Sequence, residues 1–297
     1  MKIAASIVTF NPEFDRLTQN IEALICQVDN IIIIDNASEN IEAIRKLLGD
    51  YNKEKIILRE YPNNYGLAYA LNEAFNIAFQ GEFEWLVTMD QDSSLSEGYV
   101  DTCRRLIKEI KDNRIGIICS DVRDLNGYKN DTPIRSYSNN EVSCFREIAC
   151  ITSGAFTNVK AGIECGGFDN SMFIDQIDYD LCFKLRSCGY SIYRSNDIYI
   201  NHELGRIEQK NLLGVRYLTT NHSAMRLYYI YRNYFVIKKN HWNLARRDRD
   251  VKKWFKQQGL RLAYRPLKII IAERDKLNKI RSIIRGVVAG MKIYLKK

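Results

Sequence analysis

The sequence predicts an α/β fold, a sheet with helices on both faces, followed by a helical C-terminal extension. Three observations carry that expectation. Short apolar runs alternate with longer amphipathic stretches over the first 120 or so residues. Polar, acidic interruptions come directly after several of those runs, where the carboxyl ends of parallel strands would lie. The basic charge is gathered at one end: residues 238–297 hold nineteen Lys or Arg against four Asp or Glu, while the remaining 237 hold 25 against 32. A mildly acidic body with a strongly basic tail invites two separate explanations.

The strand-like runs are 2–9, 30–35, 55–59, 84–89 and 115–119, with helical patterns between them at 12–26, 40–49, 66–80 and 97–112. Strands separated by helices of this length argue for a parallel sheet covered on both sides. Residues 120–170 are irregular and richer in Asn, Asp, Ser and Gly. They are expected to form a loop-rich, antiparallel stretch that would meet a second substrate. A helix follows over 178–188, stopped by Gly189, and Tyr190-Ser191-Ile192-Tyr193 reads as a strand. From about 211 the chain is expected to be mainly helical, with Pro266 marking a start or a break. The division expected is therefore 1–210, itself in two halves meeting near 120, and a basic helical region over 211–297.

With 297 residues, 46% of them hydrophobic and 27% charged, the composition is that of a folded protein. The N-terminus opens directly as a strand, so no leader is expected, and no apolar run reaches the length of a membrane-spanning helix. The eight cysteines have neither CxxC nor zinc spacing; they read as small buried hydrophobes in a reducing cytoplasm.

Asp90 and Asp92 follow the apolar run Trp85–Met89. In extended chain, side chains two apart face the same way, so both carboxylates can address one site. Mg²⁺ or Mn²⁺ with a diphosphate is a natural partner for acids in that position. The competing reading is a helix start, because Ser94 and Glu97 fit a capping box. Asp35 ends the run Ile31–Ile34 and can accept a hydrogen bond from a ribose or a base. Asn63-Asn64-Tyr65-Gly66 opens a helix whose positive end could face a phosphate or nucleobase, or could be a plain helix start. Asp178, at a helix N-terminus with Asp175 and Asp180 nearby, is the candidate general base; the three acids could instead cap and solubilise the helix, a reading that suits Asp180. His202, at a strand exit, either completes the metal site or is structural. His222 and His241 are given no chemistry. Neither GxGxxG nor GxxxxGK[ST] occurs, which disfavours a nicotinamide site and a P-loop enzyme.

Taken as a set, Ile7–Asn11, Ile34–Asn36, Asn64–Gly66 with Ala70 and Asn72, Asp90–Asp92, Gly166–Asp169 and Phe173–Tyr190 resemble the family-2 inverting glycosyltransferases over roughly residues 1–240. The resemblance implies a GT-A fold, a Rossmann-like mixed sheet with helices on both faces. It implies a nucleotide-sugar donor whose nucleotide is read by Thr9, Asn11 and Asp35, a metal on Asp92, often with His202, and Asp178 as base. Asn64, Gly66, Asn72 and Asp90 are expected to complete the donor site, Asp90 by holding ribose or a metal-bound water. Ile177 stands where the family has an acid, so Asp175 and Asp178 both remain candidates, with Asp178 keeping the helix register. Phe173–Cys182 together with Tyr228–Asn233 is similar to bacterial rhamnosyltransferases of polysaccharide assembly, which use dTDP-L-rhamnose on a lipid-linked acceptor. Ser153-Gly154 would border that acceptor. Other donors in view are UDP-galactose, UDP-glucose and UDP-galactofuranose. A sugar nucleotidyltransferase is the competing enzyme class, disfavoured by the glycine-free, acidic stretch Asn11–Asp15.

The tail interleaves apolar and basic residues, as in Val251–Lys256, Leu267–Ile271 and Ile283–Val288. Such helices suit an anionic membrane interface; with the lipid-linked acceptor that the resemblance implies, the expected location is the cytoplasm, against the inner face of a bacterial membrane. A homodimer contact through the same apolar faces is the alternative. Nucleic acid is not an expected partner, given the acidic body and the absence of a nucleic-acid motif.

Overall fold

A computed structural model of the chain describes residues 1–124, 143–202, 208–212, 215–219 and 221–296. The elements run β1 (Ile3–Thr9), α1 (Phe14–Ile25), β2 (Asn30–Asp35), α2 (Ile41–Leu48), β3 (Ile56–Glu60), α3 (Leu67–Gln80), β4 (Trp85–Asp90), β5 (Ser94–Leu95), α4 (Tyr99–Glu109) and β6 (Ile115–Asp124). They continue with β7 (Cys144–Glu147), β8 (Ala155–Asn158), α5 (Val159–Glu164), a 3₁₀ turn at Asn170–Met172, α6 (Ile177–Ser187), β9 (Ser191–His202) and the strands β10 (Glu208–Leu212) and β11 (Val215–Thr219). Four helices close the chain: α7 (Ala224–Asn240), α8 (Trp242–Arg247), α9 (Arg249–Ala272) and α10 (Lys276–Leu295).

Nine strands form one mixed sheet in the order β3-β2-β1-β4-β8-β6-β9-β5, with β7 on β9. The run β3-β2-β1-β4 is parallel throughout. β8 then enters antiparallel between β4 and β6, so β4 and β6 do not pair directly. Both faces are covered, which is why β2 is apolar at successive positions. Ile31 and Ile33 join a core with α1, α2 and α4, while Ile32 and Ile34 join the opposite core with α3, α5 and α6. The register matters for the site. Thr9 pairs with Asp35, and Val8 with Asp90, so the ends of β1, β2 and β4 lie side by side at one edge.

Several expectations are corrected. The stretch from 211 is mainly helical but does not begin as helix: Glu208–Leu212 and Val215–Thr219 form an antiparallel pair of strands, and helix begins at Ala224. Pro266 neither starts nor breaks a helix but sits inside α9. Proline cannot donate to the carbonyl four residues earlier; that carbonyl, on Leu262, accepts the Tyr231 hydroxyl at 2.7 Å instead. The Ser94/Glu97 capping box does not form. Ser94-Leu95 pairs with β9, and α4 is capped by Gly98 without a side-chain bond. All eight cysteines are free. Of the irregular stretch expected over 120–170, residues 125–142 lie outside the described residues.

Candidate active site

The edge formed by the carboxyl ends of β1, β2 and β4 collects most of the predicted residues. Thr9 and Asp35 are both buried, and the Thr9 hydroxyl donates to Asp35 Oδ1 at 2.9 Å. Asp35 also accepts from the Ser38 amide (2.9 Å) and hydroxyl (2.5 Å). Its carboxylate is thus engaged within the protein: it shapes the loop after β2, and it is 1% exposed. Asn11, at φ 49°, donates its amide to the Ser38 hydroxyl and offers Oδ1 to the Glu39 amide. Phe10, the residue after β1, is 46% exposed. Gln91 brackets the Phe10 backbone, accepting from its amide at 2.8 Å and donating to its carbonyl at 3.4 Å.

The start of α3 behaves differently from the expectation. Gly66 sits at φ 90°, and a Cβ there would lie 2.6 Å from the Phe173 ring and 2.7 Å from its carbonyl oxygen. The amides of Leu67 and Ala68 both donate to that carbonyl, at 2.6 and 3.3 Å. The positive end of α3 is therefore occupied by the protein's own loop rather than turned to a phosphate. Asn64 links Asn36 to the Gly66 amide through its Oδ1. Asn72 donates to the Phe168 carbonyl and to Asn170, and accepts from the Phe168 amide. Expected at the donor site, Asn72 instead holds the Gly167–Asn170 turn. A Cβ at Gly167, φ 58°, would fall 2.4 Å from its oxygen.

Asp90, Asp92 and His202 converge, with one ligand atom from each all within 4.8 Å of one another. β4 supplies the first carboxylate, the turn after it the second, and the end of β9 the imidazole. Asn20, fully buried on α1, donates to the Asp90 carbonyl at 2.7 Å. Ser93 contacts His202 Nδ1 at 2.6 Å and fixes the ring, as an outer partner does for a ligating histidine. Burial pushes the Asp90 carboxyl up; His202 and Arg226 oppose that shift and Asp92 adds to it. Two carboxylate oxygens and an imidazole nitrogen held this close fit a hard divalent cation such as Mn²⁺ or Mg²⁺.

Asp178 lies in the first turn of α6 and is half-buried. Burial raises its carboxyl from 3.8 to about 7; bonds from the Tyr179 and Asp178 amides oppose this, while the charges of Asp175 and Asp90 add to it. Asp178 lines a small cavity with Thr88 of β4, Thr152 and Cys182, which sets the α6 acid beside that strand. Asp175 is committed elsewhere: Arg226 of α7 grips it through both oxygens, at 2.6 and 3.2 Å. Of the two acids left open by the sequence, Asp178 is the one with no guanidinium bound to it among the described residues. Ser153, 3% exposed, lies at the end of β4, where its hydroxyl accepts from the Asp90 amide at 3.3 Å.

Asp180 is corrected from solvated cap to core residue. It is fully buried, bonded to His241 Nε2 at 2.7 Å and paired with Lys184 at 2.7 Å. Burial alone would raise its carboxyl; these two partners overcome that and lower it. His222 lies just before α7, and burial together with Arg265, Arg226 and Lys279 lowers it to about 3. Sequence reasoning missed Ser93, Gln91, Arg226 and Asn233. The last lies in the run Tyr228–Asn233, and it holds the loop before Asp178: its amide donates to the carbonyls of Met172, Ile174 and Asp175.

Comparison with known proteins agrees with this layout. A model described as "Glycosyl transferase family 2" matches residues 5–166. The chain is 26% identical over 299 residues to the dTDP-rhamnosyl transferase RfbF of Shigella flexneri, covering 97% of both chains. Among solved structures, residues 1–349 of S. aureus TarS superpose with a TM-score of 0.63 at 12% identity, covering 97% of this chain and 81% of that one. The mannosyltransferase PcManGT of Pyrobaculum calidifontis, in complex with GDP-Man and Mn²⁺, superposes with a TM-score of 0.58 at 16% identity, over 100% of this chain and 76% of that one. The fold is GT-A.

Proposed function

The chain belongs to glycosyl transferase family 2, and we propose that it is an inverting, metal-dependent rhamnosyltransferase. It would move L-rhamnose from dTDP-L-rhamnose to a hydroxyl of a lipid-linked saccharide during assembly of a cell-surface polysaccharide. The observation that carries the reaction class is the convergence of Asp90, Asp92 and His202 at the strand edge, with Asp178 lining a small cavity beside Thr88 of the same strand β4. The donor is supported by the Shigella relative, whose similarity spans nearly the whole chain.

The reaction is a single displacement. Asp178 accepts the proton of the acceptor hydroxyl as its oxygen bonds to the anomeric carbon, and the bond from that carbon to the diphosphate breaks on the opposite side. Asp90, Asp92 and His202 would hold the cation, which when bound neutralises the diphosphate and stabilises it as leaving group. Arg226 fastens Asp175 and keeps a positive charge near the two acids, Asp90 and Asp175. The exposed Phe10 and the Asn11 loop would offer the surface on which the base and ribose rest. Residues 1–120 would handle the donor, and the part up to 210 would meet the acceptor.

The tail supports the lipid-linked acceptor. Leu260, Tyr264, Leu267 and Ile271 of α9 are 46–62% exposed at helical spacing, and Ile284, Val288, Met291 and Leu295 of α10 repeat the pattern at 45–70%. Exposed Lys268, Arg281, Arg285 and Lys292 stand among them. Among the described residues no helix is long and apolar enough to cross a membrane. These two stripes would lie in the headgroup region of an anionic membrane on its cytoplasmic face.

A donor screen tests the proposal. Purified protein with Mn²⁺ or Mg²⁺ and a set of nucleotide-sugars should release dTDP from dTDP-L-rhamnose faster than it releases nucleoside diphosphate from UDP-sugars. Preference for a UDP-sugar would overturn the donor, and pyrophosphate as product would overturn the reaction class.

A further inference from the structure

We infer that helix α7 positions the catalytic loop, and that Asn233 is the positioning residue that sets the place of Asp178. The inference rests on the reading of Asp178 as the base. The segment before α6 has an unusual backbone: Phe173, Asp175 and Gln176 all have positive φ, at 62, 66 and 65°. None is glycine, so the backbone does not favour this shape by itself. Something outside the loop has to hold it.

Asn233 does so from a fully buried position on α7. Its amide nitrogen donates to the carbonyls of Met172 at 3.0 Å, Ile174 at 2.8 Å and Asp175 at 2.8 Å. Three carbonyl oxygens facing one group can only be met by the NH₂ edge, whose two hydrogens they share. The other edge is fixed as well, since Arg232 Nε donates to Asn233 Oδ1 at 3.0 Å. Neighbouring contacts run between the same two elements. Arg232 also reaches the Ser171 carbonyl, Gln176 donates to the Ile230 carbonyl, and Phe173 stacks on Tyr229 at 5.1 Å between ring centres. From the far side, the α3 amides hold the Phe173 carbonyl. The loop is thus clamped between α3 and α7, and α6 starts at its end with Asp178 one residue in.

α7 is in turn seated on α10 by close backbone approach. A Cβ at Gly286 would meet the Tyr228 carbonyl oxygen at 2.5 Å, and one at Gly290 would meet that of Arg232 at 2.8 Å. The C-terminal helices therefore bear on the catalytic loop through α7, and within the run Tyr228–Asn233 it is Tyr229, Ile230, Arg232 and Asn233 that contact that loop.

The test compares Asn233→Ala and the near-isosteric Asn233→Asp, which keeps the volume and loses the NH₂ donors, with Tyr231→Phe. Tyr231 is on the same helix, but its hydroxyl bonds the Leu262 carbonyl of α9 and leaves the loop untouched. Transfer from the donor identified by the screen is measured with folding followed by circular dichroism. Both Asn233 variants should lower kcat by about 30-fold or more while the donor KM stays within about threefold. Tyr231→Phe should leave kcat within about twofold, whatever it costs in Tm. The inference is overturned if the folded Asn233 variant that remains, of the two, keeps kcat within about threefold of wild type. It is equally overturned if Tyr231→Phe shows the same loss. Asp178→Asn is measured alongside: if it retains turnover, the base assignment has failed and the inference with it, whereas a dead Asp178→Asn beside an active Asn233→Asp rejects the positioning role alone.

Discussion

Burial holds the Asp178 carboxyl near 7 against its ordinary 3.8, so the folded chain keeps a proton that the unfolded chain has released between those values. Stability contributed by this group is therefore complete at low pH, falls as pH rises from about 4 to about 7, and is level above. Asp178→Asn should remove that loss. In urea titrations the variant should gain little over wild type at pH 4 and up to about 4 kcal/mol at pH 7.5, about three pKa units at 1.36 kcal/mol each. Equal gains at both pH values would show that the carboxyl is not perturbed by folding. The same carboxyl must be ionised to act as a base, so kcat/KM should climb tenfold per pH unit below about 7 and flatten above it. A flat profile between pH 5.5 and 8 would detach Asp178 from the proton transfer.

At the scale of elements, the contact between α3 and the loop before α6 is the most demanding. Gly66→Ala introduces a Cβ at φ 90° into a space already filled by the Phe173 ring and carbonyl. The backbone penalty is about 1 kcal/mol, and displacing Phe173 adds to it. Denaturant unfolding should register a loss of about 2–4 kcal/mol. A change under 0.5 kcal/mol would mean that the approach is looser than described. The elements that could be read from the sequence were those governed by local pattern: β1 to β4 and α1 to α4, each near its expected bounds. Asp90 and Asp92 were legible because two polar acids directly after Trp85–Met89 have no local reason to be there. What stayed hidden depends on partners far along the chain. Asp180 looks like any first-turn acid until His241, 61 residues on, is seen to bond it. Pro266 looks like a breaker until Tyr231 supplies a donor for the Leu262 carbonyl. Asn72 looks ligand-facing until the Gly167–Asn170 turn folds onto it. β8 is too short to announce that it separates β4 from β6.

At the scale of the whole molecule, acidic edge and basic tail sit on one continuous structure. α7 touches the catalytic loop and also packs along α10, one of the two helices with exposed apolar stripes. α7 thus links the loop that carries Asp178 to a helix that bears one of the exposed stripes. Sedimentation with vesicles tests the surface. The protein should pellet with vesicles containing anionic lipid at low salt, remain in solution with zwitterionic ones, and be released as salt is raised. No binding at low salt, together with a dimer in analytical ultracentrifugation, would assign the stripes to a second copy of the chain instead.

One measurement bears on the central claim most directly: turnover of the Asp178→Asn variant at saturating donor and Mn²⁺, set beside its calorimetric affinity for the nucleotide. A base that acts only on the acceptor proton predicts a fall in kcat of about 10²–10⁴-fold with donor affinity within a factor of about three. Turnover within about tenfold of wild type, or a parallel collapse of donor binding, would contradict it.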